Sequence, residues 1–140
     1  LANGTYTPGT FVVSIDDGSG ATPSGTVTTV ATAVNLVRPI GTTAVVQAAS
    51  KLSANVTMTL TMQSGYSVSS AQAAVSLAIT TYINSLSVAA TLPYSILSKI
   101  AYDAYTGIAN ITGITLNSGT SDLTPTAAQV IRAGTITVNA

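Results

Sequence analysis

The chain contains few side chains that could carry out acid–base or nucleophilic chemistry. It has no Cys, His, Glu or Trp, and its charged residues are four basic and four acidic side chains. A Ser or Thr nucleophile needs an adjacent base, and the two lysines, Lys51 and Lys99, stand in no recognisable Ser–Lys motif. Glycosidase chemistry needs two carboxylates across a cleft, and Asp103 with Asp122 is the one non-adjacent pair in the C-terminal half. The sequence therefore predicts that the protein is not an enzyme.

The Gly-rich turn at residues 16–20 carries two adjacent carboxylates, Asp16 and Asp17. A hard cation takes about six or more oxygen ligands, and the spacing does not match a calcium-binding loop. The run Gly18-Ser19-Gly20 also lacks the lysine of a phosphate-binding loop. The two aspartates are therefore predicted to form a turn through bonds to the local backbone. The chain is predicted to hold no metal and no cofactor.

Charge is scarce along the whole chain. Only 6% of the residues are charged, against about 25% in typical domains, and none lies between Lys51 and Lys99. The net charge of zero provides no basic field for nucleic acid or anionic lipid, and no apolar run approaches the ~18 residues of a membrane span. Composition leaves two interpretations open: a small domain with a neutral hydroxyl surface, or a subunit covered by neighbours, since charges are depleted at interface cores.

Hydrophobic periodicity predicts a mixture of strands and helices. Pro39 stops the first helix because proline cannot continue the hydrogen-bond ladder, and Gly107 marks the end of the third helix. Ser24 is the predicted N-cap of the first helix, and Ser69 or Ser70 that of the second. The predicted elements are an extended lead-in over 1–9, strands over 10–15, 44–49, 55–62, 108–116 and 135–138, helices over 25–38 and 70–86, a third helix opened by Thr91 and Pro93, a loop over 117–125 and a short helical turn over 127–132.

The strand over 55–62 has the clearest period, with aliphatic side chains alternating with threonines. One face is predicted to pack on a core and the other, formed by Thr57, Thr59 and Thr61, to be polar. The polar face is either wet or a place where the strand edge pairs with another subunit, since no Lys or Pro guards it. The preceding strand is predicted to pair with this one as a hairpin through residues 50–53.

The order of the elements is strand, helix, strand, strand, helix, helix, strand, strand. This order predicts an α+β fold, with a mostly antiparallel sheet and two to three helices packed on one face. A doubly wound parallel sheet would need helix-sized crossovers between most of its strands. Without an internal repeat or a linker, the 140 residues are predicted to form a single domain.

Three further side chains are candidates for contacts with a partner. Arg38 lies at the predicted end of the first helix, where it either pairs with Asp122 or an aspartate of the turn, or anchors an interface. Arginine is enriched at interface hot spots. Tyr102 and Tyr105 lie near the end of the third helix, either at the edge of the core or within reach of a partner.

Seven segments of the chain carry a family resemblance. The segments are TFVV (10–13), DGSG (17–20), VATAVNLVRPIG (30–41), NVTMTL (55–60), YINSL (82–86), LPYSIL (92–97) and ITGITLN (111–117). Taken in this order, they resemble the C-terminal part of the baseplate J-like proteins of contractile phage tails and related injection systems. The likeness covers most of the chain, and one departure is Val88-Ala89-Ala90, where a glycine is more usual after the helix.

The resemblance implies a structural protein without catalytic activity or cofactor. Family members build the baseplate wedges around the central hub, contact copies of themselves and other wedge proteins, and transmit the rearrangement that triggers sheath contraction. The implied location is the virion tail baseplate, assembled in the bacterial host cytoplasm as a homo-oligomer, without nucleic-acid contact or membrane insertion. The chain is expected to be the C-terminal part of a longer wedge protein.

The alternative function is a glycan- or cell-surface-binding module of a tail or adhesin protein. A neutral surface rich in Thr, Ser and Asn suits this interpretation, but it requires an exposed aromatic platform. The chain has only six Tyr and one Phe, and several of these fall at helical core spacing.

Overall fold

Within residues 9–140, which the computed structural model describes, the chain folds into three helices and five strands in two sheets. The α+β class is therefore confirmed. The predicted lead-in over residues 1–9 lies outside the described residues, apart from Gly9. The elements are β1 (Thr10–Ile15), α1 (Ser24–Val37), β2 (Thr43–Ala48), β3 (Ser50–Met62), α2 (Val68–Asn84), α3 (Ile96–Ala104), β4 (Ile108–Leu116) and β5 (Gln129–Asn139).

β1, α1 and β2 form a strand–helix–strand unit. The two strands pair in parallel, from Thr10 opposite Thr43 to Ile15 opposite Ala48. Parallel neighbours need a crossover connection, and α1 supplies it. α1 packs against β2, but no side chain of the helix is fully buried. We call residues 9–49 the N-terminal unit.

The prediction for the N-cap of α1 differs from the structure. Pro23 occupies the N-cap position, so the prediction that Ser24 caps the helix is wrong. Proline suits this place because the extended backbone of Pro23 (φ −61°, ψ 145°) leads into the first turn. At the other end, Arg38 is extended (ψ 145°), as the residue before Pro39 is expected to be.

The predicted hairpin between β2 and β3 is wrong. Residues 50–53 belong to β3 itself, and Ala49 alone separates the two strands. The Ala49 N–H donates to Ile15 O (2.8 Å) in the first sheet, whereas the Ser50 N–H donates to Ala128 O (2.8 Å) beside the second. The chain therefore changes sheets without reversing direction, a choice that the alternation within either segment does not determine.

β3 is the central strand of the second sheet, between β4 and β5. It is antiparallel to β4 and parallel to β5. The register with β5 shifts between Ala54 and Val56, and there Asn55 Oδ1 accepts the Thr135 N–H (2.9 Å). A side chain at Gly134 would overlap Asn55, so the glycine permits this close approach.

The extent of β5 differs from two predictions. The helical turn expected over 127–132 is confined to residues 127–128, where the Gln129 N–H donates to Thr126 O (3.0 Å). The strand expected over 135–138 is eleven residues long, Gln129–Asn139. Val130, Ile131 and Arg132 are buried one after another. Both faces of the strand are covered there, so the sequence has no alternation that would mark a strand.

The core lies between one face of β3 and the two C-terminal helices. Ala54, Val56, Met58 and Leu60 alternate along β3 and are at most 3% exposed, as the period predicted. From α2, the buried side chains at helical spacing are Ala71, Val75, Ile79 and Ile83, and α3 contributes Leu97 and Ala101.

Both C-terminal helices begin away from the predicted residues. α2 starts at Val68 because Ser67, and not Ser69 or Ser70, is the N-cap, and its hydroxyl accepts the Ser70 N–H (3.3 Å). α3 starts at Ile96, later than the predicted opening at Thr91 and Pro93. Before it, Leu92 forms a bridge with Leu123, and this pairing holds the segment extended.

Candidate functional site

The most buried charged groups of the described chain form an ion pair between its two ends. Arg132 on β5 contacts Asp16, which follows β1, and the two side chains are 7% and 4% exposed. The guanidinium also donates to Leu86 O (2.8 Å). Its Nε is a buried nitrogen without a hydrogen-bond partner among residues 9–140. This pair ties the N-terminal unit to the second sheet, a structural use of charge.

The turn that follows β1 confirms the predicted role of its aspartates. Asp16 accepts the N–H groups of Gly18 and Gly20, both at 2.9 Å. Asp17 accepts the hydroxyl and the N–H of Ser19. Donation from the Ser19 hydroxyl, followed by that from its N–H, lowers the pKa of the exposed Asp17 carboxyl from its ordinary value. Both carboxylates are thus engaged with their own turn.

The two remaining carboxylates serve local structure. Asp103 forms an exposed ion pair with Lys99, one turn earlier on α3. Asp122 Oδ1 accepts the Tyr94 N–H (2.7 Å) ahead of α3. Across residues 9–140, no three side chains of the types that hold metals lie together.

Arg38 does not pair with an aspartate, so that prediction is wrong. Its Nε donates to Asn35 Oδ1 (2.9 Å), and its guanidinium donates to Thr42 O. These bonds fasten the turn that links α1 to β2. Of the three aspartates considered as partners, Asp16 is bound by Arg132, Asp17 accepts from Ser19, and Asp122 accepts the Tyr94 N–H. The interface role of Arg38 stays a prediction.

Thr57, Thr59 and Thr61 lie on the sheet face opposite the core. Because β3 is paired on both sides, its backbone is not open to another subunit, and the predicted edge pairing through this strand is wrong. The face itself extends over the neighbouring strands. Its members across from these threonines are Thr115, Thr112 and Asn110 on β4, with Thr137 and Asn139 on β5.

Tyr102 and Tyr105 have different environments. Tyr102 is 43% exposed, and its hydroxyl donates to Asn110 Oδ1 at 3.4 Å. Tyr105 is half-buried against the core and meets the ring of Tyr66 edge-on, with centroids 6.4 Å apart. Tyr105 therefore belongs to the core edge, whereas Tyr102 offers a surface to solvent.

An apolar protrusion at the end of α1 was not foreseen from the sequence. Leu36, Val37 and Ile40 are 83%, 82% and 104% exposed, which makes them the most exposed large hydrophobic side chains of the described chain. Together with Arg38 we call them the α1 tip. Val37 lies at helical spacing from Val30 and Val34, a pattern that favours burial, but no side chain of α1 is buried.

A groove of about 750 Å³ runs between α2 and α3. Leu77, 69% exposed, stands on one side of it. Asp103 is the one charged residue among those that line it. We call it the α2–α3 groove, and its lining residues are Ala74, Leu77, Ala78, Thr81, Tyr82, Ser85, Ile100, Asp103 and Ala104.

These features define an α+β protein whose carboxylates and Arg132 bond within the chain and whose distinctive surfaces are apolar or hydroxyl-bearing. No helix within residues 9–140 is both long and apolar enough to cross a membrane. Among curated proteins, no sequence matches the chain.

A family model does match. Residues 54–139 match the Baseplate J-like protein C-terminal domain, and the chain therefore belongs to this family. The match covers more than half of the chain and takes in most of β3 together with α2, α3, β4 and β5. The family is a structural component of the phage tail, and membership indicates a baseplate protein. The N-terminal unit lies ahead of the matched residues.

Proposed function

We propose that the chain is a structural subunit of the baseplate of a contractile phage tail or a related injection system. In this role it joins baseplate wedges through contacts with copies of itself and with other wedge proteins, and it performs no catalysis and uses no cofactor. The observation that carries the proposal is the family match over residues 54–139. The proposed location is the tail baseplate of the virion, assembled in the host cytoplasm.

The chemistry of the surface supports an assembly role. The carboxylates and Arg132 are committed to contacts within the chain. What remains accessible is the hydroxyl face of the second sheet, the α1 tip and the α2–α3 groove. Charge depletion and exposed aliphatic side chains are characteristic of surfaces that bind proteins.

Electron microscopy of tail particles tests the proposal. The gene is given a short peptide tag in the phage that encodes it, and purified tails are labelled with gold-conjugated antibody. We expect gold at the end of the tail distal to the capsid, whereas a tagged sheath protein, as control, should be labelled along its length. Particles without the chain, or with the label elsewhere, would contradict a baseplate role.

The glycan-binding alternative is tested separately. It requires aromatic rings available for stacking on sugars, and the two exposed tyrosines of the described chain are partly engaged. Tyr66 packs against Tyr105, and the Tyr102 hydroxyl bonds Asn110. A glycan array without binding would dispose of this alternative.

A further inference from the structure

We propose that copies of this chain associate head to tail, with the α1 tip of one copy seated in the α2–α3 groove of the next. The inference rests on the proposed function and names the surfaces through which the subunit would contact its own kind. Such a contact joins two different patches, so it generates a closed ring or an open filament according to the rotation between copies.

The α1 tip is built to protrude. Three large aliphatic side chains stand within five residues and are more than four-fifths exposed. Single exposed hydrophobic residues are normal, but a contiguous apolar patch marks an interaction site.

The tip is also held in shape. Arg38 bonds both Asn35 and Thr42, and the Thr42 hydroxyl donates to Pro39 O at 2.7 Å. Pro39 fixes one backbone dihedral in the same turn. A preorganised protrusion loses little conformational entropy when it docks.

The α2–α3 groove has the matching character. Its walls are mostly Ala, Leu and Ile side chains, so small residues leave room where larger ones would fill it. The groove has a volume of about 750 Å³ and is broadly open to solvent, so a protruding side chain can enter it. Leu77 is 69% exposed at the wall, and burial of this side chain by an aliphatic neighbour is favourable.

Charge complementarity favours a second copy as the occupant. The tip carries one charge, the cation of Arg38, and the groove lining carries one, the carboxylate of Asp103. Asp103 already pairs with Lys99, but both side chains are about two-thirds exposed. Such surface pairs hold weakly, so an incoming guanidinium can share the carboxylate. Tip and groove are therefore complementary in both polarity and charge.

The test measures the mass of the full 140-residue chain by light scattering after size exclusion, over a range of concentrations. Leu36→Glu/Ile40→Glu alters the tip, and Leu77→Glu alters the groove. Val68→Glu is the matched control, since Val68 is 43% exposed on α2 and does not line the groove. All four positions are exposed, so folding should persist, and thermal melts verify it.

We expect the mass of the unmodified chain and of the control to rise with concentration. The tip and groove variants should each dissociate at least about tenfold more readily, as loss of an interface hot spot implies. Mixing the two variants should restore association, but only to a dimer, because the mixture contains one intact tip and one intact groove per pair. A symmetric contact of one patch with itself would not be rescued in this way.

Two results would overturn the inference. One is association that survives in both variants, which would place the self-contact elsewhere, for example on the edges of the β1–β2 sheet. The other is an unmodified chain that stays monomeric at every concentration. Neither result touches the proposed function, which the gold label at the baseplate decides independently.

Discussion

At the scale of single residues, the chain uses its few charges to fix structure. The pair between Arg132 and Asp16 is nearly inaccessible to solvent, and the backbone of Gly20 closes over it. A side chain at Gly20 would lie 2.8 Å from Arg132 Cγ, closer than side-chain carbons approach. Buried ion pairs contribute little net stability when intact, but breaking one leaves a charge without compensation.

Replacement of Arg132 should therefore lower the free energy of unfolding far more than replacement of an exposed lysine. We expect Arg132→Met to lower the free energy of unfolding by about 3–5 kcal/mol, and Lys99→Met, from the exposed pair, by less than about 1 kcal/mol. Urea denaturation measures both. In a double-mutant cycle with Asp16→Asn, the two changes should couple by more than about 0.5 kcal/mol. Additive effects would argue against the pair.

The pKa of Asp17 tests the hydrogen bonds that Ser19 donates within the turn. Its lowered pKa arises from donation by Ser19, so Ser19→Ala should raise that pKa toward the ordinary aspartate value of about 3.9. A lowered native pKa means that the contribution of Asp17 to stability is complete above the unfolded pKa and is lost as the pH falls through the native one. A carboxyl carbon NMR titration follows the change. Ser19→Thr, which keeps the hydroxyl, should leave the pKa low, and equal values in the two variants would exclude the hydroxyl as the cause.

At the scale of elements, left-handed backbone occurs in several of the connections, and Gly107 and Ala89 offer the clearest tests of it. Gly107, between α3 and β4, has φ +100°, and a side chain there would overlap the ring of Tyr66. Ala89, after α2, has φ +63° and lies in the segment where the family pattern more usually has a glycine. An L-residue in this conformation is strained.

Gly107→Ala should be destabilising for two reasons, the positive φ and the collision with Tyr66. We expect a loss of about 1–3 kcal/mol. Gly25→Ala is the matched control, because it lies in α1 with open space around it, and alanine is favoured over glycine in helices by up to about 1 kcal/mol. Thermal melts of both variants make the comparison. An unchanged melting temperature for Gly107→Ala would contradict the packing of Tyr66 on this glycine.

Ala89→Gly should have the opposite effect. Relief of left-handed strain is worth about 1–2 kcal/mol, and the greater freedom of the unfolded chain offsets about 0.4–1 kcal/mol of it. Because Ala89 is exposed, no packing is lost. We expect a net gain below about 1 kcal/mol in chemical denaturation, and a clear loss of stability would show that Ala89 is not strained.

At the scale of the whole molecule, the buried core and the N-terminal unit are formed by different segments of the chain. The buried cluster is drawn from residues 54–131, which lie within the family match. The N-terminal unit adds the β1–β2 sheet and the α1 tip. A two-stranded ribbon is marginal alone, so the Asp16–Arg132 pair and the continuous β2–β3 path support it. The single-domain prediction then implies one cooperative unfolding transition for the full chain.

A fragment over residues 50–140 tests this dependence. It keeps the whole buried cluster, so it should fold with lower stability than the full chain. The fragment lacks Asp16 and Gly20, which lie against Arg132 in the full chain. The guanidinium is therefore exposed to solvent in the fragment. Arg132→Met should therefore cost less than about 1 kcal/mol in the fragment, against about 3–5 kcal/mol in the full chain. Urea denaturation measures both values, and equal costs would show that Asp16 is not its main partner.

Local patterns in the sequence were sufficient for several features. The strands over 10–15 and 108–116 were predicted with the bounds that the structure gives them, because each lies between clear turn residues. The aspartates of the turn bond their own backbone, an interaction that spans only a few residues. The β3 core face follows from period-two alternation, which survives whichever strands lie alongside.

Features that depend on distant partners were not accessible in this way. The parallel pairing of β2 with β1, the burial of both faces at the start of β5 and the choice of Asp16 by Arg132 all join residues far apart in the chain. The local sequence does not distinguish a helix whose apolar side chains are covered from one whose apolar side chains are exposed. The exposure of the α1 tip is therefore visible only in the tertiary structure.

The sequence by itself determined the class of fold, the buried faces of β3 and α2, the scarcity of catalytic side chains and the family. Each of these depends only on residue types and on short spacings along the chain. The tertiary structure decided which strands pair, which charges meet and which apolar side chains remain outside. Those outcomes depend on how separate segments cover one another, and coverage is a property of the assembled chain.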